Sequence, residues 1–593
     1  MRGYLVLGVV TATMVAGCEI EVTTSPTAHE SAPFDPPPPQ PTFTFSTYLG
    51  GSGDDRVLDV ASTLGTAPLV FVVGGTSSTD FPTTDGTTLD PATSAGCAGC
   101  PYDAFAMRID APGQVVWSTV IGGPGFEEAT AVAVAIDLDV FIGGSAAELP
   151  ATTGAADATF AGGDSAERGG EDGFVCRLDG ATGQRRWCTF VGGAGTGGVT
   201  SLAADPASDG VVAVLTTVAS EALDDDPAYA AAFAGRHRAA PGGTDTVVVR
   251  IAGDGRSFSW ATYVGGSGDE PAPATVSIDI NGVHVLTTTA STDAPTPNGV
   301  VTTAPGGTNA YYALLIDDAA TVRYATYLGG SGDDWVSGKS LLAEGSVAVG
   351  INTRSVDVDV TANAVQPSFG GGGTAGCGAA LGDGWLGLLA PAASGTASLA
   401  AATYVGGSRG DSLDAITRDR SYDAVIAAGR TFSSDFPTLG FGQPPFGFPR
   451  GAPCTTDADN SDGSITSLPR AGLFADRHYG SYFGGSDEDR IAAADRGGSH
   501  LIGFGGDTRS LDFPVVGPLS SSRRGPRDGF VAVLGRWDFP VAAGDAGPDA
   551  TGPGGTDGDA GCCGTAPMSA PRGLAFGLLV LAAAIPLRRR RAR

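Results

Sequence analysis

Acidic side chains recur along this chain a few residues after a pair of glycines, which makes them the first candidates for chemistry. They are Asp54, Asp55, Glu127, Asp269, Asp333, Asp334, Asp411 and Asp487. A ring of such carboxylates could bind Ca²⁺, which takes oxygen ligands, and the candidates for that site are Asp54, Asp55, Asp269, Asp333 and Asp334. The alternative, which we favour, is that each acid hydrogen-bonds to the backbone of its own turn, as Asp beside Gly commonly does.

Other reactive residue types form no recognisable catalytic pattern. The stretch "GGSG" is followed by Asp54, where a hydrolase nucleophile turn would have its second glycine. None of the five histidines has a cysteine or histidine partner at metal-ligand spacing. Asp457–Gly463 follows the calcium-loop pattern only in part, because it lacks the central Gly and the final Glu. The sequence therefore names no catalytic residue, and Ca²⁺ is the one cofactor it suggests.

The acids belong to a segment that is repeated seven times. Its clearest mark is two apolar residues and two glycines, first seen as Tyr48–Gly51, and the first glycine stands at positions 50, 122, 192, 265, 329, 406 and 484. A second mark, "DAFAMRID" at 103–110 or a variant, precedes most copies. A third, "DFPT" or a variant, begins at positions 80, 293, 435 and 512. Copies three and five are among those that lack this third mark, so the sequence leaves their loops undefined.

Each period of the repeat predicts four β-strands. Residues 103–121 give two strands around a Pro-Gly turn, and the segments 130–136 and 139–145 supply two more. A unit of four strands cannot bury both of its faces alone, so neighbouring units must stack. Radial stacking into a propeller leaves only short, protected edges. The predicted fold class is therefore all-β, a seven-bladed β-propeller of four-stranded blades.

The two ends of the repeat region predict how the ring closes. The first copy, Phe43–Gly51, has no strand of the "DGF" type before it, and the last segment, Arg527–Trp537, has no glycine-pair strand after it. Elsewhere in the repeat these two strands form one hairpin. We therefore expect the N-terminal and C-terminal strands to pair within a shared blade, which removes two open sheet edges.

The recurring marks resemble the bacterial seven-bladed beta-propeller repeat family, whose pattern runs roughly D-A-F, then Y-L-G-G-S, then D-F-P. The resemblance covers about 43–539 of the chain. It implies seven blades, in agreement with the seven copies counted above. A β-solenoid is the structural alternative, but its rungs are usually much shorter than this period.

Six of the nine cysteines are disulfide candidates, in the pairs Cys176 and Cys188, Cys97 and Cys100, and Cys377 and Cys454. The first pair flanks the hairpin "CRLDGATGQRRWC", which predicts a cross-strand disulfide. The second pair, in "CAGC", favours a local bridge, because a redox motif would need a βαβ context. The third pair occupies matching loops of successive repeats and could join two blades. All three bridges require an oxidising compartment.

The N-terminal residues predict export and lipid attachment. Residues 1–17 combine Arg2, an apolar run and small residues, as a secretory signal does. The tetrapeptide "VAGC" resembles a lipobox, which implies cleavage before Cys18 and a lipid on its thiol. An ordinary signal peptide is the alternative. Residues 18–42 contain "PFDPPPPQP" and are expected to form an extended stalk.

The C-terminal residues predict a second membrane signal. Residues 541–564 are an Asp/Gly/Pro-rich linker with Cys562 and Cys563, and residues 565–593 hold an apolar stretch and an arginine cluster. This order resembles the myxobacterial C-terminal sorting segment, which implies processing at Cys562 or Cys563. The alternative is a plain tail anchor with its arginines on the cytoplasmic side. In both cases the propeller, 43–540, is expected outside the cytoplasm.

Charge and architecture narrow the choice of partners. The formal net charge of −30 argues against nucleic acid, whose phosphates need a basic surface. We expect a protein of the outer membrane or cell surface, attached through its N-terminal lipid and its C-terminal segment. Its expected work is to bind a surface glycan, a polymer or another protein through loops at one propeller face. The alternative is an extracellular propeller hydrolase or lyase with carboxylates at the central channel.

Overall fold

The computed structural model describes residues between Phe43 and Gly535, apart from several internal stretches, of which the longest are 85–101, 162–171, 372–380 and 440–460. The predictions for Cys18, Cys97, Cys100, Cys377, Cys454, Cys562 and Cys563 lie outside the described residues, as do those for the signal, stalk, linker and C-terminal segments. The chain divides into two units, Met1–Phe539 and Pro540–Arg593, and every described residue belongs to the first.

Within the described residues, 28 strands form seven antiparallel sheets of four strands each. The first three blades are β2–β5 (Asp55–Ser62, Val70–Thr76, Asp103–Asp110, Gln114–Ile121), β6–β9 (Glu127–Val134, Val140–Ala146, Asp172–Leu178, Arg185–Val191) and β10–β13 (Thr196–Ala204, Val211–Val218, Thr244–Ile251, Phe258–Val264). The next three are β14–β17 (Ala274–Asp279, Gly282–Thr289, Asn309–Ile316, Thr321–Leu328), β18–β21 (Asp334–Leu341, Val347–Thr353, Asp383–Leu389, Leu399–Val405) and β22–β25 (Asp411–Asp419, Ala424–Thr431, Asp462–Pro469, Tyr479–Phe483).

The seventh blade joins the two ends of the repeat region. It contains β26 (Asp489–Arg496), β27 (Leu501–Thr508), β28 (Asp528–Gly535) and β1 (Phe43–Leu49), in the order β1-β28-β27-β26. β1 pairs antiparallel with β28, so that Tyr48 lies opposite Phe530. The innermost strands β26 and β2 also contact each other, which closes the ring. The predicted seven-bladed fold and its closure by terminal strand pairing are confirmed.

Helical structure is minimal in the part of the chain that the structure describes. It consists of α1 (Ala230–Phe233) and two short 3₁₀ turns, Ala343–Gly345 and Gly395–Ser398. No described helix is long and apolar enough to cross a membrane.

The central strands of each blade are apolar because neighbouring blades cover both of their faces. β8 and β20, each the third strand of its blade, are buried at every residue. Such strands appear in the sequence as nearly continuous apolar runs, for example "NAYYALLI" in β16. Clusters of apolar side chains fill the spaces between adjacent blades, as where Val212 and Val248 of one blade pack with Val285 and Tyr311 of the next.

A β-bulge interrupts the innermost strand at the same place in six blades. The residues at the six bulges are Leu58, Thr130, Thr200, Ser337, Asp414 and Ala492. In four of these blades the residue before the bulge lies opposite a glycine of the second strand. A Cβ atom at one of these glycines, Gly74, would overlap the carbonyl oxygen of Arg56. The six bulge residues line the central channel. The bulge is therefore the local feature that builds the channel wall.

Candidate functional site

The two ends of the propeller differ in their connections. At one end, which we call the loop face, the segments between second and third strands run from 19 residues (Thr289 to Asn309) to 30 residues (Thr431 to Asp462). The glycine-pair turns between blades lie at the same end. At the other end, which we call the hairpin face, connections between first and second strands have at most seven residues and those between third and fourth strands at most nine.

The sequence-predicted acids Asp55 and Asp334 hold the loop-face turns together. Asp55, the first residue of β2, accepts hydrogen bonds from the Gly51 amide at 2.8 Å, from the Ser78 hydroxyl at 2.6 Å and from the Thr76 hydroxyl. Asp334, the first residue of β18, accepts equivalent hydrogen bonds from Gly330 at 2.8 Å and Ser355 at 2.9 Å. Their positions fit the turn interpretation of these acids.

A second group of acids, which sequence reasoning assigned no role, fixes the same turns from the other side. Asp80, Asp293, Asp357, Asp435 and Asp512 each accept a hydrogen bond, of 2.6–2.9 Å, from the amide of the serine after a glycine pair. Asp357 does so although copy five lacks the "DFP" mark. The signal that could have revealed them is the motif T-x-S-x-D, which ends in each of these five acids, for example as Thr353–Asp357.

The tyrosine of the glycine-pair mark anchors the loop that follows T-x-S-x-D in its own blade. The hydroxyl of Tyr48 donates to the Ser510 carbonyl at 2.9 Å and accepts from the Phe513 amide at 3.0 Å. The same two hydrogen bonds are made by Tyr327, Tyr404 and Tyr482. These four loops are thus tied at their roots to the outermost strand of their own blade.

Buried carboxyls meet in pairs across the blade joints at the loop face. A Cβ atom at Gly406 would lie 2.7 Å from Asp383 Oδ1 and 2.9 Å from Asp411 Oδ2, so only glycine fits between these two acids. Burial, together with the neighbouring Asp411, raises the pKa of Asp383 to about 8. Burial likewise raises the pKa of Asp462 to about 9, with a further contribution from Asp489. These carboxyls are therefore protonated over much of the neutral range.

The other calcium candidates stand apart from one another. Asp54 forms an ion pair with Arg56 at 3.2 Å, Asp333 lies 3.7 Å from Arg354, and Asp269 accepts from the Thr244 amide at 3.0 Å. Among the described residues, no group of three His, Cys, Asp or Glu side chains is placed to hold a metal ion. The two-carboxyl groups at the blade joints supply fewer ligands than Ca²⁺ usually takes.

The central channel is a cavity of about 320 Å³ with a largely polar wall. Polar links join successive innermost strands around it. On one side Thr130 donates to the Val199 carbonyl and Thr200 to the Ala274 carbonyl. Elsewhere Asp59 accepts from the Val132 amide at 2.8 Å. The channel therefore has a wall whose polar groups tie each blade to the next.

The remaining channel links use ionisable side chains and do not recur with the repeat. Arg490 donates to Asp414 at 2.8 Å, Asp495 accepts from the Ser62 amide at 2.7 Å, and Lys339 donates to the Thr275 hydroxyl at 3.1 Å. Burial, with the nearby Asp495, raises the pKa of Asp59 to about 7. Sequence reasoning missed these residues because it searched for marks that recur in every blade.

The predicted disulfide between Cys176 and Cys188 is confirmed. The two residues lie directly opposite each other on β8 and β9, with Cα atoms 4.0 Å apart. Both side chains are fully buried in the cluster between this blade and the one before it. The bridge therefore fixes the register of a central hairpin.

Comparisons with known proteins add no functional assignment. No family model and no curated protein matches the chain. Solved structures with a similar fold include U3-55K (8% identity, 84% of this chain and 100% of that one, TM-score 0.39), the Dos1 propeller (8%, 84% and 95%, 0.35) and BamB from Moraxella catarrhalis (11%, 85% and 100%, 0.31). With TM-scores below 0.5, these similarities carry no argument about function. The resemblance to the bacterial repeat family continues to rest on the recurring residues alone.

Proposed function

We propose that this protein is an exported, membrane-attached propeller of the outer membrane or cell surface that binds its partner through the loop face. The partner is a surface glycan, a polymer or another protein. The observation that carries the proposal is the asymmetry between the two faces, because all seven long connections emerge at one end. Binding residues are commonly found on loops that a rigid scaffold positions.

The chemistry of the loop face supports binding more than catalysis. Its buried acids are engaged in holding turns, so they do not point as a group at a substrate. The face also presents apolar side chains in equivalent places. Val356 and Leu511, both in the fourth position of T-x-S-x-D, are 71% and 72% exposed. Exposed apolar side chains at equivalent positions of two blades suit contact with a partner surface.

A binding screen of the full-length protein against surface glycans and surface proteins tests this proposal. Val356→Asp and Leu511→Asp, made together, should weaken binding at least about tenfold, because each places a charge in the contact. The matched control is Ile136→Asp with Ile280→Asp, since both residues are exposed in hairpin-face turns. Equal loss in both double variants, or loss in the control alone, would contradict binding at the loop face.

Membrane attachment is tested separately. We propose that Cys18 carries lipid and that the C-terminal segment with Cys562 and Cys563 acts as a sorting signal or an anchor. Cys18→Ser should abolish incorporation of labelled acyl chains at the N-terminus, because the thiol is the acceptor. A Cys18→Ser protein that still acquires the label would refute the lipobox interpretation.

A second candidate function is an extracellular hydrolase or lyase that uses channel carboxylates. The observation that favours it is Asp59, which lines the channel and has a pKa raised by burial to about 7, near that of a general acid or base. Asp59→Asn should then abolish cleavage of polysaccharide substrates without changing the melting temperature by more than a few degrees. Absence of cleavage by the unaltered protein would remove this candidate.

A further inference from the structure

The central channel holds the only lysine of the chain. Every other basic side chain is one of 33 arginines or five histidines, whereas Lys339 lies on β18, just after the bulge at Ser337. Its side chain is part of the channel wall. Lysine and arginine are not equivalent in an enclosed site, because an arginine stays charged and a lysine can lose its proton. The one lysine thus lies in an enclosed site, where it can lose its proton and an arginine would stay charged.

No negative charge compensates Lys339 among the described residues. Its Nζ donates to the hydroxyl of Thr275, on the neighbouring innermost strand β14, at 3.1 Å. The acids of the adjoining elements bind other groups. Asp279 pairs with His284 at 2.9 Å, and Asp414 pairs with Arg490 at 2.8 Å. Asp59 accepts hydrogen bonds from two backbone amides, and Asp334 and Asp411 each accept one from a glycine-pair turn. A protonated amine here would be an unpaired charge inside the protein.

An unpaired buried ammonium is costly, so the neutral form is favoured. Burial lowers the pKa of Lys339 well below its usual range. The side chain is nevertheless partly accessible to water in the channel. A neutral, accessible amine is a nucleophile, and desolvation is one way in which a lysine is activated towards carbonyl compounds at neutral pH.

We propose that Lys339 forms a reversible imine with a small aldehyde or ketone that enters the channel. The Nζ lone pair attacks the carbonyl carbon, a C–N bond forms, and a proton passes from nitrogen to oxygen to give a carbinolamine. Loss of that hydroxyl group with the second nitrogen proton releases one water and leaves a C=N bond. No oxidant or reductant is consumed.

The channel suits such a ligand. A cavity of about 320 Å³ is at the lower end of the range for small-molecule sites. The carboxyl group of Asp59 in the channel wall disfavours binding of an anionic ligand, but it does not disfavour binding of a neutral carbonyl compound. The Thr275 hydroxyl, 3.1 Å from Nζ, can hydrogen-bond the carbinolamine oxygen after small adjustments. This activity is independent of binding at the loop face.

Trapping with glycolaldehyde and cyanoborohydride tests the proposal on the full-length protein. Peptide mass spectrometry quantifies alkylation at the single lysine, with the chain's α-amino group as internal reference. The comparison protein carries Lys339→Arg with Arg256→Lys, which moves the only lysine to an exposed hairpin-face turn. At pH 7 the channel lysine should be alkylated at least about tenfold faster than the relocated one, because more of it is neutral.

The pH dependence separates a lowered pKa from a merely accessible amine. Near pH 11 the advantage of Lys339 should disappear, since the exposed lysine is then neutral as well. Lys339→Met should remove the channel adduct, and its melting temperature shows that the fold is kept. Equal or slower alkylation of Lys339 at pH 7 would overturn the proposal, as would an advantage that persists unchanged at pH 11.

Discussion

The buried carboxyls of the loop face and the paired acids of the hairpin face are stabilised by different means. At the loop face, buried carboxyls such as Asp55 are hydrogen-bonded by hydroxyls and amides, and burial raises their pKa. At the hairpin face, acids meet cations: Arg177 donates to Asp139 at 2.8 Å, and Arg470 to Asp423 at 3.0 Å. Although burial opposes it, the hydrogen bond from Arg470 lowers the pKa of Asp423.

The two faces also differ in the length of their connections. Short connections with ion pairs close one end. At the other end, hydrogen-bonded acids hold the roots of connections that are up to 30 residues long. The comparison predicts that loop-face and hairpin-face changes affect stability in different ways.

The largest expected effect comes from opening the ring, on which both faces depend. Deleting 43–49 removes β1 with the buried Phe45, Tyr48 and Leu49, and it exposes the edge of β28. The melting temperature should fall by about 10 °C or more, or the protein should aggregate. Deleting 22–40 is the control and should leave melting unchanged. Equal midpoints for the two deletions would disprove closure through β1.

A glycine-to-alanine pair tests how tightly the loop-face acids are packed. A Cβ atom at Gly484 would lie 2.5 Å from Asp489 Oδ2 and 2.9 Å from Asp462 Oδ1, whereas one at Gly472, on the hairpin face, has its nearest neighbour 3.9 Å away. Gly484→Ala should reduce the free energy of unfolding by about 2–3 kcal/mol. Gly472→Ala should change it by less than about 0.5 kcal/mol. If denaturant titrations gave similar losses of unfolding free energy for the two variants, the acids around Gly484 would not be tightly packed.

The opposite pKa shifts of Asp462, at the loop face, and Asp423, at the hairpin face, predict opposite pH effects. The pKa of Asp462 in the folded protein is about 9, above its unfolded value. The folded state therefore binds the extra proton, and the stability from this group is lost as pH rises from about 4 towards 9. Asp462→Asn should raise stability at pH 8 by at least about 1 kcal/mol and leave it unchanged at pH 4.

Asp423 supplies the matched control. Its folded pKa is lowered, so its contribution is present above the unfolded pKa and is lost as pH falls through the folded one. Asp423→Asn should therefore destabilise at pH 8, by less than about 1 kcal/mol because the ion pairs are partly exposed. Melting curves at pH 4, 6 and 8 compare the two variants. A loss of stability for Asp462→Asn at pH 8 would contradict a raised pKa for this buried carboxyl.

The smallest expected effect is that of calcium. The candidate acids Asp55 and Asp334 already accept turn hydrogen bonds, and Asp54, Asp269 and Asp333 are dispersed. Adding millimolar Ca²⁺ should therefore shift the melting temperature by less than about 1 °C, since only binding to the folded state stabilises. A shift of several degrees that Asp334→Asn removes would identify a calcium site on this face.

Much of the fold followed from local signals in the sequence. The second repeated mark predicted a strand at 103–110, where β4 now lies. The unpaired strands at the two ends of the repeat region predicted the pairing of β1 with β28. The Cys176–Cys188 hairpin predicted its disulfide. Alternation of side chains and turn chemistry act within a few residues, so they can be read without knowing how blades pack.

The tertiary structure alone decided what lies between blades. Asp383 and Asp411 are close because two blades meet there. Asp357 binds its turn although its copy lacks the "DFP" mark. Lys339 lines a channel that forms only when seven innermost strands surround it. No local pattern determines those distances. They depend on radial packing and on bulges that turn side chains towards the axis, and these arise from contacts between residues far apart in the sequence.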